Sequence, residues 1–308
     1  MLNGQGNTPK VFVDGTPGSI WRYSGGGYTI MEKVVEDVSG QTLEAYLAEN
    51  VLEPIGMSYS TYQQPIDAEK YTNISAAYDG EGKIIEGLWN NYPEQAAAGL
   101  WTTPSDLAKY CIEIQQILAG KDNGVLSKAT VDKMLTKHKN NWGLGPSLQW
   151  DKDSLIFGHG GKNAGFTNDM LAFAHRGNAV IVMTNADNGG QLMGEVFRAV
   201  SNHYGWNVRK QRIIERVAVP VEELEKLVGK YQLTYQVPNV GDYLIEVSIE
   251  NDRLVVTDPN SGEINKLTAI GKESFIDLKS GTQVAINAHE KKQGLLFNGR
   301  FQFFKLEK

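Results

Sequence analysis

The 308 residues are 41% apolar and carry a formal net charge of −6, enough to bury a sizeable core but with no basic field to hold a phosphate backbone, so no nucleic-acid partner is expected. No run of about 18 apolar residues offers a membrane span, and residues 1–7 are polar and glycine-rich, unlike a secretory signal peptide. Five scattered histidines and the lone Cys111 show no metal-ligand spacing, and the glycines around Gly161 and Lys162 do not match a phosphate loop, so no metal or other cofactor is expected.

In chain order, Pro17-Gly18-Ser19 is a turn signal and Tyr23 follows on a short loop. Gly25, Gly26 and Gly27 give that loop freedom to approach a ligand before a helix starts near Ile30. Ile30, Met31, Val34, Val35 and Val38 recur there at helical spacing, and Gly40 stands at the expected left-handed cap. Thr42 caps a second helix that turns Leu43, Tyr46, Leu47 and Val51 inward and ends at Pro54. Thr103-Pro104-Ser105-Asp106 opens a third, whose stripe of Leu107, Tyr110, Cys111, Ile114, Ile117 and Leu118 is closed by Gly120. Cys111 reads as core. A further helix starts at Ser127 with Val131, Met134 and Leu135 inward.

From Ser154 the apolar period shifts toward two, predicting a strand into His159, a second near 169–174, a turn at 175–178 and a third over 179–184. Leu192, Met193, Val196, Phe197 and Val200 mark a closing helix ending near Tyr204-Gly205. Helices followed by strands and a closing helix predict an α+β domain over 1–207 with a cleft between helical lobe and sheet. Residues 208–222 read as a linker with a short helix. Over 223–308 short alternating strands, such as Tyr243, Ile245, Val247 and Ile249 against Glu246, Ser248 and Glu250, are split by turns at Asn251-Asp252, 279–282 and Asn298-Gly299; roughly eight strands predict a small all-β barrel.

Five motifs, in order, carry a resemblance: Pro17-Gly18-Ser19; Tyr23-Ser24-Gly25; the 51–57 run; Ala98-Gly99-Leu100 through Leu107; and His159-Gly160-Gly161 with Gly165-Phe166. Together they resemble the serine β-lactamase and penicillin-binding-protein superfamily, nearest the class C type with its esterase and D-aminopeptidase relatives, over the first two thirds of the chain. The C-terminal unit resembles the lipocalin-like barrels found after such hydrolases. The resemblance implies a Ser-x-x-Lys at the start of a buried helix, a tyrosine motif on a loop and a strand motif at a sheet edge. Tyr23 matches the tyrosine and His159 the first strand-motif residue, with Gly161 beside it; the Lys162 amide would be an oxyanion donor. Gly25 stands where the family has an asparagine that meets substrate.

No Ser-x-x-Lys occurs in the 308 residues. Lys109 is one residue too far from Ser105 to imitate it, and Thr130 with Lys133 or Thr136 with Lys139 has the spacing without the serine, as exposed surface-helix pairs. The expectation is an N-terminally truncated serine hydrolase, acting by family on a small amide or ester such as a D-amino-acid peptide, a β-lactam or a carboxylic ester, and inactive as this chain alone. The alternative is a non-catalytic module binding cell-wall peptide or a partner protein. The resemblance also implies an incomplete sheet whose exposed edge a homodimer would cover, and a periplasmic or extracellular location.

Overall fold

The computed structural model describes residues 2–5, 10–13, 15–19, 21–121, 123–211, 213–235, 241–289, 292–299 and 301–306. The chain divides into two compact units, Met1–Gln211 and Arg212–Lys308.

In the first unit, α1 (Gly25–Ser39) begins five residues earlier than the apolar period suggests, so the three glycines form its first turn and not a loop. Three glycines disfavour helix by about 1 kcal/mol each relative to alanine, and the Ser24 hydroxyl offsets part of this by accepting the Gly27 N–H at 3.0 Å. Gly40 ends the helix in the left-handed conformation, φ 72°, its N–H donated to the Glu36 carbonyl. Thr42 caps α2 (Leu43–Leu47), which passes into a π-helical turn over Ala48–Leu52. After a long irregular stretch come α3 (Gln95–Ala98), packed beside α1, and α4 (Pro104–Leu118), capped by Thr103 with proline in its first turn. α5 (Lys128–Met134) is capped by Ser127 and stops before Thr136, so Thr136 and Lys139 do not share a helix.

An antiparallel sheet runs in the order β1 (Ser147–Asp151), β2 (Ser154–Asn163), β3 (Phe166–Phe173), β4 (Ala179–Thr184). β1 carries no visible period because only Leu148 and Asp151 of its five residues are buried and Trp150 faces out. β3 starts three residues before the expected segment because Gly165, at φ 75°, turns the chain tightly between Asn163 and Phe166. Side-chain alternation puts the two faces of the sheet in two cores. Phe157, Met170 and Ala172 pack with Cys111, Ile114 and Ile117 of α4 and Val131 of α5. Ile156, Leu171 and Phe173 pack with Phe197 of α6 (Gly190–His203), Trp206 and Val208. Each fully buried Ile or Phe contributes about 1.5–3 kcal/mol relative to an exposed one, so this two-sided burial fixes the register of β2 and hence the place of His159.

The second unit opens with α7 (Val221–Glu225) and continues as β5 (Gly229–Leu233), β6 (Leu244–Glu250), β7 (Arg253–Thr257), β8 (Ile264–Ala269), β9 (Ser274–Asp277), β10 (Gln283–His289), β11 (Lys292–Phe297) and β12 (Phe301–Lys305). These eight strands form a closed antiparallel barrel. Tyr231, Leu254, Leu267, Phe275, Leu295 and Phe303 fill it, with Leu224 and Leu227 part of the same core. The Tyr231 hydroxyl donates to the Leu227 carbonyl at 2.8 Å, which satisfies the one polar atom this buried ring brings. Asn251 and Asp252, at φ 47° and 57°, make a two-residue turn suited to the twist of a hairpin, and Asn298 and Gly299, at φ 49° and 66°, lie in the longer turn between Phe297 and Phe301. Among the described residues no helix is long and apolar enough to cross a membrane.

Candidate active site

Tyr23 is held from below by one loop. Ser19 closes the turn by donating its N–H and hydroxyl to the Thr16 carbonyl at 3.0 and 2.6 Å. The Lys139 ammonium, read from sequence as a solvated surface charge, donates to the Gly18 and Ser19 carbonyls at 2.7 and 3.2 Å. The same loop presents Trp142, whose ring stacks on Trp21 at 5.6 Å and lies 5.8 Å from Tyr23 and 5.7 Å from His159. Trp142 is therefore the aromatic floor on which the tyrosine and the histidine meet. The Tyr23 hydroxyl lies 3.4 Å from His159 Nε2, a long hydrogen bond between residues 136 apart in sequence.

His159 stands in the middle of β2, not at its end, and Gly160 and Gly161 continue the pairing without a bulge, opposite Asp169 and Asn168. β1 pairs with β2 only up to Gly158, opposite Ser147. The Leu148 N–H is given to the Asn141 carbonyl on the far side of β1, so Ser147 turns its backbone to β2 and Gly158 turns its own to β1. The Leu155 carbonyl accepts from Ala174 on the β3 side, which fixes the same alternation. Two and four residues beyond Gly158, the backbone N–H and C=O of Gly160 and Lys162 therefore face an edge that β1 no longer covers. The Lys162 side chain goes elsewhere, its ammonium 3.4 Å from the Asp187 carbonyl.

This edge opens into a cleft of about 1270 Å³ lined by Tyr23, Gly25, His159, Gly161 and Lys162, with Trp101 and Asn168 among its other walls. The structure thus gathers all five sequence-predicted residues around one space. Gly25 sits there as the first residue of α1, its Cα facing Ala97 of α3, where an added Cβ would lie 3.9 Å from the Ala97 Cβ. At Gly161 a Cβ would come within 2.8 Å of the Asn168 carboxamide oxygen, so any larger residue there would have to displace that side chain. Burial, with the Tyr23 phenol nearby, pushes the Tyr28 phenol above its ordinary value. Asp169, on the opposite face of β3, is raised by burial despite its ion pair with Arg209 at 2.5 Å. The only charged side chains lining the cleft among the described residues are Glu94 and Lys162. Ser24 is occupied as a helix cap, and Lys109 is bound to Asp106 and the Gly56 carbonyl, so neither Ser24 nor Ser105 with Lys109 forms a serine–lysine pair.

Trp142 and Asn168 are the residues sequence reasoning missed. Trp142 lies in an aperiodic loop, and nothing local marks it; Asn168 is detectable only through the pairing that puts it opposite Gly161.

A sheet flanked by helices, with a loop tyrosine facing a histidine on the part of β2 that β1 leaves uncovered, is the arrangement of serine acyl-transfer folds. Residues 9–204 match the β-lactamase family, and the chain belongs to that family. It is similar to the candidate penicillin-binding protein PbpX of Bacillus subtilis (strain 168), 21% identical over 175 residues that make up 56% of this chain and 42% of that protein. It is also similar to the teichoic acid D-alanine hydrolase of Staphylococcus aureus, 27% identical over 96 residues, 30% of this chain and 24% of that one. The chain thus spans less than half the length of these curated relatives. In fold it is similar to SurE, with a TM-score of 0.61 at 19% identity over 97% of this chain and 70% of that chain; a SurE structure with D-Leu gives 0.57 at 18% identity, with the same coverage.

Proposed function

We propose that the cleft binds a small amide or ester of a D-amino acid and forms the non-nucleophilic half of an acyl-transfer centre. In the reaction of this family a serine oxygen attacks the carbonyl carbon, the C–N or C–O bond breaks, the leaving amine or alcohol takes a proton, and water then releases the acyl group. In this reading the Tyr23 phenol passes the proton, His159 orients it, and the outward N–H of Lys162 is one donor to the developing oxyanion. The single observation that carries the reading is the 3.4 Å approach of the Tyr23 hydroxyl to His159 Nε2 beside an uncovered strand edge. The D-alanine and D-Leu in the names of two relatives support the choice of substrate class.

The chain holds no Ser-x-x-Lys, so it binds such a ligand without being acylated. The test is a titration of the chain with D-alaninamide derivatives followed by amide NMR, with Tyr23→Phe and His159→Ala as variants, and intact mass after penicillin or a fluorophosphonate. Resonance shifts at residues 158–163, weakened about tenfold in the variants, with no mass adduct, are expected. A stoichiometric adduct would overturn the inactivity. Binding of peptidoglycan fragments that is indifferent to both variants would favour the non-catalytic cell-wall module. β4 has no further strand beside it among the described residues, which supports the homodimer expected from sequence; a monomeric mass in light scattering at high concentration would remove it.

A further inference from the structure

The carboxamide of Asn168 is polar, half-buried, on the cleft wall, and has no hydrogen-bond partner among the described residues. It lies on β3 directly opposite Gly161 of β2, and the absent side chain at 161 is what gives it room: a Cβ there would stand 2.8 Å from Asn168 Oδ1 and 3.0 Å from Nδ2. The amide thus lies over Gly161 of β2. Gly161 shares its strand face with His159 two residues away, about 6.6 Å along an extended chain. A ligand laid along the uncovered edge of β2, with its reacting carbonyl at Tyr23 and His159, therefore brings the group one residue further on to Asn168.

Of the other groups nearby, Lys162 turns its ammonium to the Asp187 carbonyl at 3.4 Å. Asn163 Nδ2 is engaged with the Ala98 carbonyl at 2.9 Å, and Asn185 Nδ2 with the Ala76 carbonyl at 2.9 Å. Glu94, the one carboxylate lining the cleft among the described residues, stands at the start of α3 and not on the sheet. A free ammonium placed beside Asn168 would find no carboxylate on the cleft face of the sheet among the described residues, whereas a secondary amide offers the acceptor and donor that a carboxamide complements. Resting on the acyl-transfer reading of the cleft, we propose that Asn168 is a specificity-determining residue that selects N-acylated, peptide-like D-amino-acid derivatives over those with a free amino group. It does so by hydrogen bonds from Nδ2 to the ligand's N-acyl carbonyl and from the ligand's amide N–H to Oδ1.

The test compares N-acetyl-D-alaninamide with D-alaninamide on the intact 308-residue chain, by calorimetry and by amide NMR at residues 158–163. The wild type is expected to prefer the acetylated probe about tenfold, the worth of one to two neutral hydrogen bonds. Asn168→Ala should bring the two affinities together, Asn168→Asp should favour the free amine, and Gly161→Ala, which displaces the carboxamide, should behave as Asn168→Ala does. Circular dichroism melting of each variant checks that the fold is kept. Binding in the cleft with the same preference in wild type and Asn168→Ala overturns the role of Asn168 and leaves the site reading standing. Failure of both probes to shift any resonance at 158–163 overturns the site reading and the inference with it.

Discussion

Asp106 ties the cleft wall to its scaffold, and its removal gives a quantitative test. The carboxylate is 1% exposed on the first turn of α4, and it accepts the Tyr59 N–H at 2.8 Å, the Ser60 hydroxyl at 2.9 Å and the Lys109 ammonium at 2.8 Å. Burial pushes its carboxyl up, but these three donors outweigh it and hold the group below the usual carboxylate range. In Asp106→Ala, Lys109 is half-exposed and can rehydrate, and Ser60 keeps Thr102 at 2.7 Å, so the main uncompensated loss is the Tyr59 amide and the charge-assisted character of the set. With roughly 1–3 kcal/mol for a stranded buried donor and about 1 kcal/mol for the weakened remainder, the expected cost is about 2–4 kcal/mol at pH 7. Urea unfolding followed by fluorescence reads it. The folded value lies below that of the unfolded chain, about 3.9, so the contribution is present above that pH and is lost as pH falls through the folded value. The gap between wild type and Asp106→Asn should therefore narrow on acidification. A loss below about 0.5 kcal/mol at pH 7, the usual range of an unimportant surface change, would refute the reasoning.

Gly165→Ala should cost about 2–4 kcal/mol in the same assay, because φ 75° disfavours any Cβ and the new atom would lie 2.4 Å from the Ala77 Cβ and 2.9 Å from the Tyr78 nitrogen; a neutral result would contradict the hairpin geometry. Burial raises the Glu32 carboxyl, with Glu36 and Glu94 adding to it and the Ala96 N–H opposing it. An acid with a raised folded value gives a fold that gains stability as pH falls through that value, so Glu32→Gln should flatten the gain in urea midpoint between pH 7 and pH 4. Burial pushes the Cys111 thiol up to about 12, and the side chain is fully buried. Iodoacetamide at pH 8 should leave it unmodified in the native chain and label it in denaturant, and rapid native labelling in mass spectra would count against the packing. Tyr231→Phe removes the bond to the Leu227 carbonyl and should lower barrel stability by about 1 kcal/mol, measured by the calorimetric melt.

The parts of the fold written locally in the sequence were legible there. Thr103-Pro104 and Ser127 announce α4 and α5 because a cap hydroxyl and a following apolar stripe are short-range signals. The barrel strands are legible because Ile245 and Val247 alternate with Glu246 and Ser248 in water-facing hairpins. The start of α1 is not legible, because glycine disfavours helix intrinsically and the contact with α3 that favours it is nonlocal. The meeting of Tyr23 with His159 was accessible only from the order of motifs. The Trp142 floor, the Lys139 tether and the Asn168–Gly161 pair depend on contacts between segments far apart, which no window of sequence contains.

The barrel has one further consequence. Its last strand lies against its first, Phe303 opposite Leu233, and the Leu306 N–H reaches the Lys230 carbonyl at 2.9 Å. The ladder is thus a ring with no privileged beginning. Cooperative melting of this unit should therefore follow closure of the ring and not the order in which ribosomes make its strands.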